Sequence, residues 1–125
     1  MKKIIETAQA PQAIGHYSQA VSIGDLVFTA GQIALLPETN EMVDGDVAKQ
    51  TRQVLDNLKA VLEAAGANLS KVVKTTVYLT IPEHFAPMND VYGQYFTEEP
   101  PARVTIFVKS LPKGALVEID AIARL

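Results

Sequence analysis

The stretch PPARVTIFV at residues 100–108 sets one arginine into an otherwise apolar strand pattern. A Leu-Pro-Lys-Gly turn follows, and then a second strand pattern, ALVEIDAIA at residues 115–123. Side chains in a strand alternate between the two faces of a sheet, so Arg103 and Val104 point in opposite directions. The second strand likewise puts its apolar side chains on one face and Glu118 on the other. We therefore expect a sheet with one apolar face and one face that carries a guanidinium and carboxylates.

Such a polar face predicts a binding site for a small carboxylic acid. The planar fork of an arginine grips a carboxylate better than any other side chain, and Arg103 supplies one. A carboxylate nearby, such as Glu118, would act as a base on a water molecule. Asp120 shares the face of Glu118 and is a lesser candidate, for which a structural role is the default expectation.

Arg103 and Glu118 each have an ordinary structural explanation that the sequence leaves open. Arginines at strand starts also serve as ion-pair partners, so Arg103 need not bind a ligand. Glu118 would then only neutralise Arg103 or a lysine across a subunit interface. A carboxylate held in that way has a lowered pKa and is a poor base.

Composition narrows the function classes. A chain of 125 residues with 48% hydrophobic and 20% charged residues predicts one globular domain over residues 1–125. The net charge of −3 and the lack of a basic block argue against a nucleic-acid binder. There are no cysteines, and the two histidines, His16 and His84, lack partners for a metal site. With no signal peptide or membrane-spanning pattern, we expect a cytoplasmic protein.

Periodicity predicts the element order β-β-β-α-β-α-β-β. The clearest element is a helix that begins at the N-cap Asp46, carries one apolar stripe and ends at Gly66. The other predicted elements ahead of the C-terminal strands are strands over residues 2–6, 18–23, 26–33 and 71–80 and a second helix over 82–96. Two helices cover only one face of such a sheet, so we expect further copies of the chain to cover the other.

Several stretches together resemble a known family over essentially the whole chain. They are AIGHYSQA (13–20), FTAGQI (28–33), QVLDNL (53–58) with AAG (64–66), VKTTVYL (73–79), MNDVY (88–92), and the C-terminal PAR, LPKG and VEIDAIA. Each is weak alone, but in this order and spacing they are specific. The chain resembles the RidA proteins, which are reactive intermediate (imine) deaminases also called YjgF-type proteins.

The resemblance implies an α+β, chorismate-mutase-like fold. Its expected form is a single mixed sheet of about six strands with two helices on one face. It also implies a homotrimer with a central barrel and active sites in the clefts between subunits. RidA proteins hydrolyse reactive 2-imino (enamine) acids, released by pyridoxal-phosphate enzymes, to 2-keto acids and ammonia. The implied activity is that of a 2-iminobutanoate/2-iminopropanoate deaminase, a hydrolase with no cofactor, metal, nucleic-acid or membrane partner.

The resemblance also assigns roles by position. Arg103 would bind the substrate carboxylate, the main chain of Thr105 would help to hold substrate or water, and Glu118 would orient or activate the water. The remaining pocket residues would be Tyr17, Gly31 and Asn89. Two departures concern the choice of imine: many members have proline at the position of His16 and serine at that of Ala30.

The sequence also leaves open function classes other than a deaminase. The first is a non-catalytic trimeric protein that binds or senses small 2-keto or other carboxylic acids, for which Arg103 would serve equally well. Glu118 discriminates, because a pure binder has no need of an acid beside the substrate carboxylate. Chorismate-mutase chemistry would require several cations around a dicarboxylate, and RNA cleavage fits poorly with an acidic chain.

Overall fold

The computed structural model describes all 125 residues and has one sheet of six strands with two α-helices. The elements are β1 (Lys3–Ile5), β2 (Ala20–Ile23), β3 (Leu26–Thr29), α1 (Val47–Ala64), β4 (Val72–Leu79), α2 (Phe85–Tyr95), β5 (Ala102–Phe107) and β6 (Val117–Arg124). The predicted element order is confirmed. Three short 3₁₀ turns lie between elements, and one of them, Pro82–His84, replaces the first turn of the predicted second helix.

The sheet is mixed, as the resemblance implied. Its strand order is β1-β2-β3-β6-β4-β5, and every neighbouring pair is antiparallel except β4 and β5. A parallel pair needs a crossover connection, and α2 supplies it between β4 and β5. The predicted strand over 26–33 ends at Thr29, and beyond that point only Gln32 pairs, through an isolated bridge to Ile119.

Helix α1 has the start and stop that its sequence predicts. The side chain of Asp46 accepts a hydrogen bond from the main-chain N–H of Lys49 at 3.0 Å, which satisfies one free donor of the first turn. The helix ends at Ala64, and Gly66 adopts a φ of +90°, a conformation that favours glycine.

The core lies between the helices and one face of the sheet. The apolar stripe of α1 packs there on the central strands, and burial of each large aliphatic side chain contributes about 1.5–3 kcal/mol. The aliphatic residues with no exposed surface are Val27, Ala34, Val54, Leu55, Leu58, Val61, Leu62, Val77, Leu79, Val117, Ile119 and Ala123.

The expectation that Arg103 and the carboxylates share one face is wrong. Arg103 is in register with Thr75, which in turn pairs with Ala121. The side chains of Thr75 and Ala121 are buried in the helix-covered face, so Arg103 also projects to that face. Glu118 pairs instead with Tyr78 on the opposite face. Alternation fixes the faces within a single strand, whereas the phase between β5 and β6 depends on how both pair with β4.

The second face of the sheet, which we call the open face, has no helix over it. It carries exposed apolar side chains from both ends of the sheet: Ile4, Ile23, Leu26, Phe28, Val104 and Ile106. The prediction that the helices cover one face alone is therefore confirmed. Neither α1 nor α2 combines the length and the apolar character needed to cross a membrane.

Candidate functional site

Glu118 lies at a cavity on the open-face side of β6. The cavity has a volume of about 300 Å³, and its lining includes Glu118, Gly31, Tyr17, Gln32 and Lys113. The segment after β3 is fastened beside Glu118 by two main-chain hydrogen bonds. Gln32 N–H donates to the Ile119 carbonyl at 2.9 Å, and Ile119 N–H donates to the Gln32 carbonyl at 3.1 Å. Tyr17, Gly31 and Glu118, which the resemblance placed in one pocket, are therefore neighbours in this chain.

Gly31 allows the Glu118 carboxylate to lie directly against the main chain. A Cβ atom at position 31 would collide with Oε2 of Glu118 and would lie only 2.8 Å from its Cδ. Real Cβ atoms do not approach other heavy atoms so closely, so a larger residue here displaces the carboxylate. Glycine at this position therefore permits a side chain of another strand to approach the main chain closely.

The electrostatic state of Glu118 suits a base better than an ion-pair partner. Burial raises the pKa of the Glu118 carboxyl, and the negative charge of Asp120 raises it further. No cation of the chain offsets these two effects. Within one chain, Glu118 therefore does not serve to neutralise Arg103.

Tyr17 occupies the loop between β1 and β2 and is 53% exposed. Its hydroxyl accepts a hydrogen bond from the main-chain N–H of Ile14 at 3.2 Å, across a turn in which Gly15 has a φ of +111°. The hydroxyl thus fastens its own loop, while the ring borders the cavity of Glu118. The neighbouring departure from the family pattern, His16, is exposed.

Arg103 is held on the other face of the sheet by neutral groups of α2. Its Nη1 donates a hydrogen bond to Oδ1 of Asn89 at 2.8 Å. Its guanidinium carbon lies 4.7 Å from the ring centroid of Tyr92 and 5.5 Å from that of Phe85, which are cation–π distances. These contacts fix the direction of the guanidinium without using a carboxylate.

Tyr92 is itself anchored, which makes it a firm support for Arg103. Its hydroxyl and the Thr75 hydroxyl share a hydrogen bond of 2.7 Å, and its ring centroid lies 4.6 Å from that of Phe96. Tyr92 is not among the site residues predicted from the sequence. Tyr92 follows Asn89 by three residues, which places both on one side of a helix. Once Asn89 is predicted to lie in the site, this spacing indicates that Tyr92 lies beside it.

Thr105 lies two residues beyond Arg103 on β5, in register with Val77. Because β5 ends the strand order, one side of its main chain has no strand partner in this chain. The main chain at Thr105 is therefore at an open edge of the sheet, on the strand that carries Arg103.

The candidate residues thus form two groups. The first, around the Glu118 cavity, contains Tyr17 and Gly31, and the second, around Arg103, contains Asn89 and the edge at Thr105. Since Arg103 and Glu118 project from opposite faces, one chain does not unite the two groups in a single pocket. No three His, Asp or Glu side chains converge in a way that would hold a metal ion.

Comparison with known proteins decides the family. A family model described as endoribonuclease L-PSP matches residues 7–125. A RutC family protein of Pyrococcus horikoshii is 55% identical over 123 residues, with 98% of each chain covered. The solved structure of RidA from an Antarctic Psychrobacter superposes with a TM-score of 0.95 at 44% identity, covering 98% of this chain and 99% of that one.

The chain belongs to the RidA family. The resemblance and the fold that it implied are thereby confirmed. Two further relatives bear on ligands. A bovine RidA relative, 46% identical over 98% of this chain and 90% of its own, is named 2-iminobutanoate/2-iminopropanoate deaminase. The Escherichia coli relative TdcF has been solved with bound serine, and it superposes with a TM-score of 0.93 at 45% identity over 98% of each chain.

Proposed function

We propose that this RidA protein hydrolyses 2-imino acids, such as 2-iminobutanoate and 2-iminopropanoate, to 2-keto acids and ammonia. The observation that carries the proposal is the state of Glu118 within its own chain: a half-buried carboxylate with a raised pKa, at a cavity and without a cation partner from the same chain. A base that must take a proton from water near neutral pH works best when its pKa is raised towards that range. The name of the bovine relative supports this choice of substrate.

Arg103 is the proposed partner of the substrate carboxylate. Its contacts with Asn89, Tyr92 and Phe85 are all to neutral groups, so its charge is not already matched within the chain. The fork of the guanidinium binds a carboxylate through two parallel hydrogen bonds, which also fixes the orientation of C2 of the substrate. The main chain of Thr105, at the open edge of β5, is proposed to assist.

A complete site then requires two copies of the chain. We infer that Arg103 of one subunit meets Glu118, Tyr17 and Gly31 of a neighbour, since one chain directs Arg103 and Glu118 to opposite faces. The exposed apolar side chains of the open face support association through that face, because a large apolar surface left in water favours an interface. The proposed assembly is the homotrimer implied by family membership, and light scattering at micromolar concentration tests it against the monomer mass of 13.5 kDa.

The chemistry asked of the protein is modest. Glu118 accepts a proton from a water molecule while the water oxygen bonds to C2 of the protonated imine, and the C2=N electron pair moves to nitrogen so that the bond becomes single. The carbinolamine then receives that proton on nitrogen. Ammonia leaves as the C2–O bond becomes a carbonyl and the hydroxyl proton is released. Fixing the imine and the water beside each other supplies several kcal/mol, about 7–11 in the best-oriented systems.

RNA cleavage, named in the description of the matched family model, is less well supported. Binding to a phosphate backbone requires clustered lysines and arginines. This chain has a net charge of −3, and its candidate arginine is hydrogen-bonded to Asn89 of α2. The site is better matched to one small carboxylate than to a polyanion.

The test is a coupled assay. A dehydratase generates 2-iminobutanoate from threonine, and the protein is expected to speed the appearance of 2-ketobutanoate above the rate of spontaneous hydrolysis. Glu118→Gln is the matched inactive control, and an RNA substrate is incubated in parallel. A folded protein that binds 2-ketobutanoate but gives no rate increase would instead be a non-catalytic binder of small keto acids, and RNA cleavage that requires Arg103 would also overturn the proposal.

A further inference from the structure

Four polar side chains face each other in the middle of the open face. Tyr78 and Thr76 of β4 are in register with Glu118 and Asp120 of β6, respectively. Paired residues of neighbouring strands project to the same face, so all four belong to one group, which we call the β4–β6 polar cluster. The proposed function uses only Glu118 of this cluster.

Asp120 is fixed within the cluster by a specific contact. The Tyr78 hydroxyl donates a hydrogen bond to Oδ2 of Asp120 at 3.1 Å. Burial and the neighbouring carboxylates raise the pKa of Tyr78, so its hydroxyl keeps its proton and remains a donor at neutral pH. Asp120 does not line the cavity of Glu118, which separates it from the water that Glu118 is proposed to activate.

We propose that Asp120, held by the Tyr78 hydroxyl, is a positioning residue that acts on the hydrolysis through Glu118. Two residues apart on one strand, the carboxylates lie on the same face at about 6–7 Å along the chain. At that distance in a half-buried setting, one negative charge opposes the next. Asp120 thereby favours the protonated form of Glu118 and makes the deprotonated form a stronger base. This inference rests on the proposed role of Glu118.

Other charged groups near Glu118 do not supply the same effect. Tyr17 and Lys113 line its cavity, and the Lys113 ammonium donates to the Asn40 carbonyl at 3.4 Å. Lys74 and Arg124 share the open face but are paired further along the strands, with Ile122 and Leu26. Among all these groups, Asp120 is the charge that adds to burial in raising the pKa of Glu118.

The test measures Glu118 directly, without substrate. The side-chain carboxyl of Glu118 is followed by ¹³C NMR as the pH is varied in the wild type, Asp120→Asn and Tyr78→Phe. In Asp120→Asn the titration midpoint of Glu118 is expected to move to lower pH. Tyr78→Phe is expected to move it in the same direction by less, because Asp120 keeps its charge but loses its anchor. Asp120→Glu, which keeps the charge, is expected to restore much of the wild-type midpoint.

Asp44→Asn is the matched control, since it removes the same charge from an exposed loop residue and is expected to leave the midpoint unchanged. A folded Asp120→Asn variant with an unchanged Glu118 midpoint would overturn the inference. If Asp120→Asn does not fold, the Tyr78→Phe titration decides, and an unchanged midpoint there overturns it equally.

The pH dependence of turnover completes the test. A base works only when deprotonated, so the acid limb of kcat in Asp120→Asn is expected to follow the Glu118 midpoint to lower pH. The plateau rate should fall by part of the roughly 10²–10⁴-fold that a general base contributes. If Glu118→Gln retains full turnover, Glu118 is not the base of the hydrolysis and the part of the inference that concerns turnover fails with it, while the NMR result still decides whether Asp120 acts on the carboxyl of Glu118.

Discussion

The side chains of Arg103 and Glu118 leave the same sheet from opposite faces. Arg103 is in register with Thr75 in the helix-covered face, and Glu118 pairs with Tyr78 in the open face. If both act on one substrate, they must come from different copies of the chain. The proposed interface site can therefore be tested by measuring the activity of assemblies that mix two different variants.

We predict that two inactive variants complement each other. Arg103→Ala and Glu118→Gln are each expected to be inactive, but after unfolding together and refolding, mixed forms of the proposed trimer should regain activity. In a cyclic assembly with one residue from each neighbour, random equal mixing restores about a quarter of the sites. Separately refolded variants mixed without subunit exchange are the control. If assemblies shown to contain both variants recover no activity, then either both residues of each site come from one chain or one of them has no part in the mechanism.

The fork of Arg103 is predicted to matter beyond its charge. Arg103→Ala should lower turnover by a hundredfold or more, because losing one partner of a desolvated charge pair costs about 2–5 kcal/mol. Arg103→Lys keeps the charge but loses bidentate geometry and aromatic stacking, so most of the loss should persist. Arg52→Ala, an exposed arginine of α1 whose guanidinium donates to Gln94, is the control and should retain activity. Wild-type kcat/KM in a folded Arg103→Lys variant would argue against bidentate binding.

Glu118→Gln is predicted to separate catalysis from binding. The amide keeps size and hydrogen-bonding capacity but cannot take a proton from water, so turnover should fall by about 10²–10⁴-fold. Affinity for 2-ketobutanoate, measured by calorimetry on the same sample, should change little. Parallel losses of affinity and turnover would mean that Glu118 serves binding instead.

The sequence predicted the order and nature of the elements because each depends on local signals. The N-cap at Asp46 and the apolar stripe of α1 are examples, and the turn at Gly66 closes the same element. Local signals could not predict whether Arg103 and Glu118 project from the same face of the sheet. This depends on the parallel pairing of β5 with β4, which is a long-range choice. The half-apolar pattern of β5 fits either face, because Val104 and Ile106 remain exposed in the chain.

The same distinction between local and long-range signals applies to the candidate site. Close neighbours in sequence, such as Gly31 and Gln32, could be recognised from the family pattern. The contact of Gly31 with Glu118, and that of Arg103 with Tyr92, join segments distant in sequence. The hydrogen bond between Tyr78 and Asp120 is likewise invisible until the register of β4 and β6 is known.

The ionised Glu118 carboxylate is predicted to lower the free energy of unfolding at neutral pH. The carboxyl of Glu118 has a raised pKa in the folded chain, so the folded state holds the proton more tightly than the unfolded state. Stability therefore falls as pH rises from the unfolded pKa through the folded one. Glu118→Gln should raise Tm at pH 7, and this gain should disappear at acid pH, where Glu118 is protonated in both states. A lower Tm for Glu118→Gln at pH 7 would indicate that a cation of a neighbouring subunit neutralises Glu118 in the assembly.

Gly31→Ala is predicted to impair turnover by displacing the Glu118 carboxylate. A Cβ at this position collides with Oε2, and the Glu118 carboxylate must move from its present position because it is the end of a flexible side chain while the added Cβ is fixed to the main chain. A misplacement of this size costs a well-oriented reaction up to about 10²-fold. Gly93→Ala is the matched control: position 93 lies in α2 with nothing within 4 Å of an added Cβ, so the variant should keep activity and gain roughly 0.5–1 kcal/mol of stability. The two variants are compared by kcat in the coupled assay and by thermal unfolding. Full activity in a folded Gly31→Ala variant would mean that the position of the Glu118 carboxylate seen here is not the one in which it works.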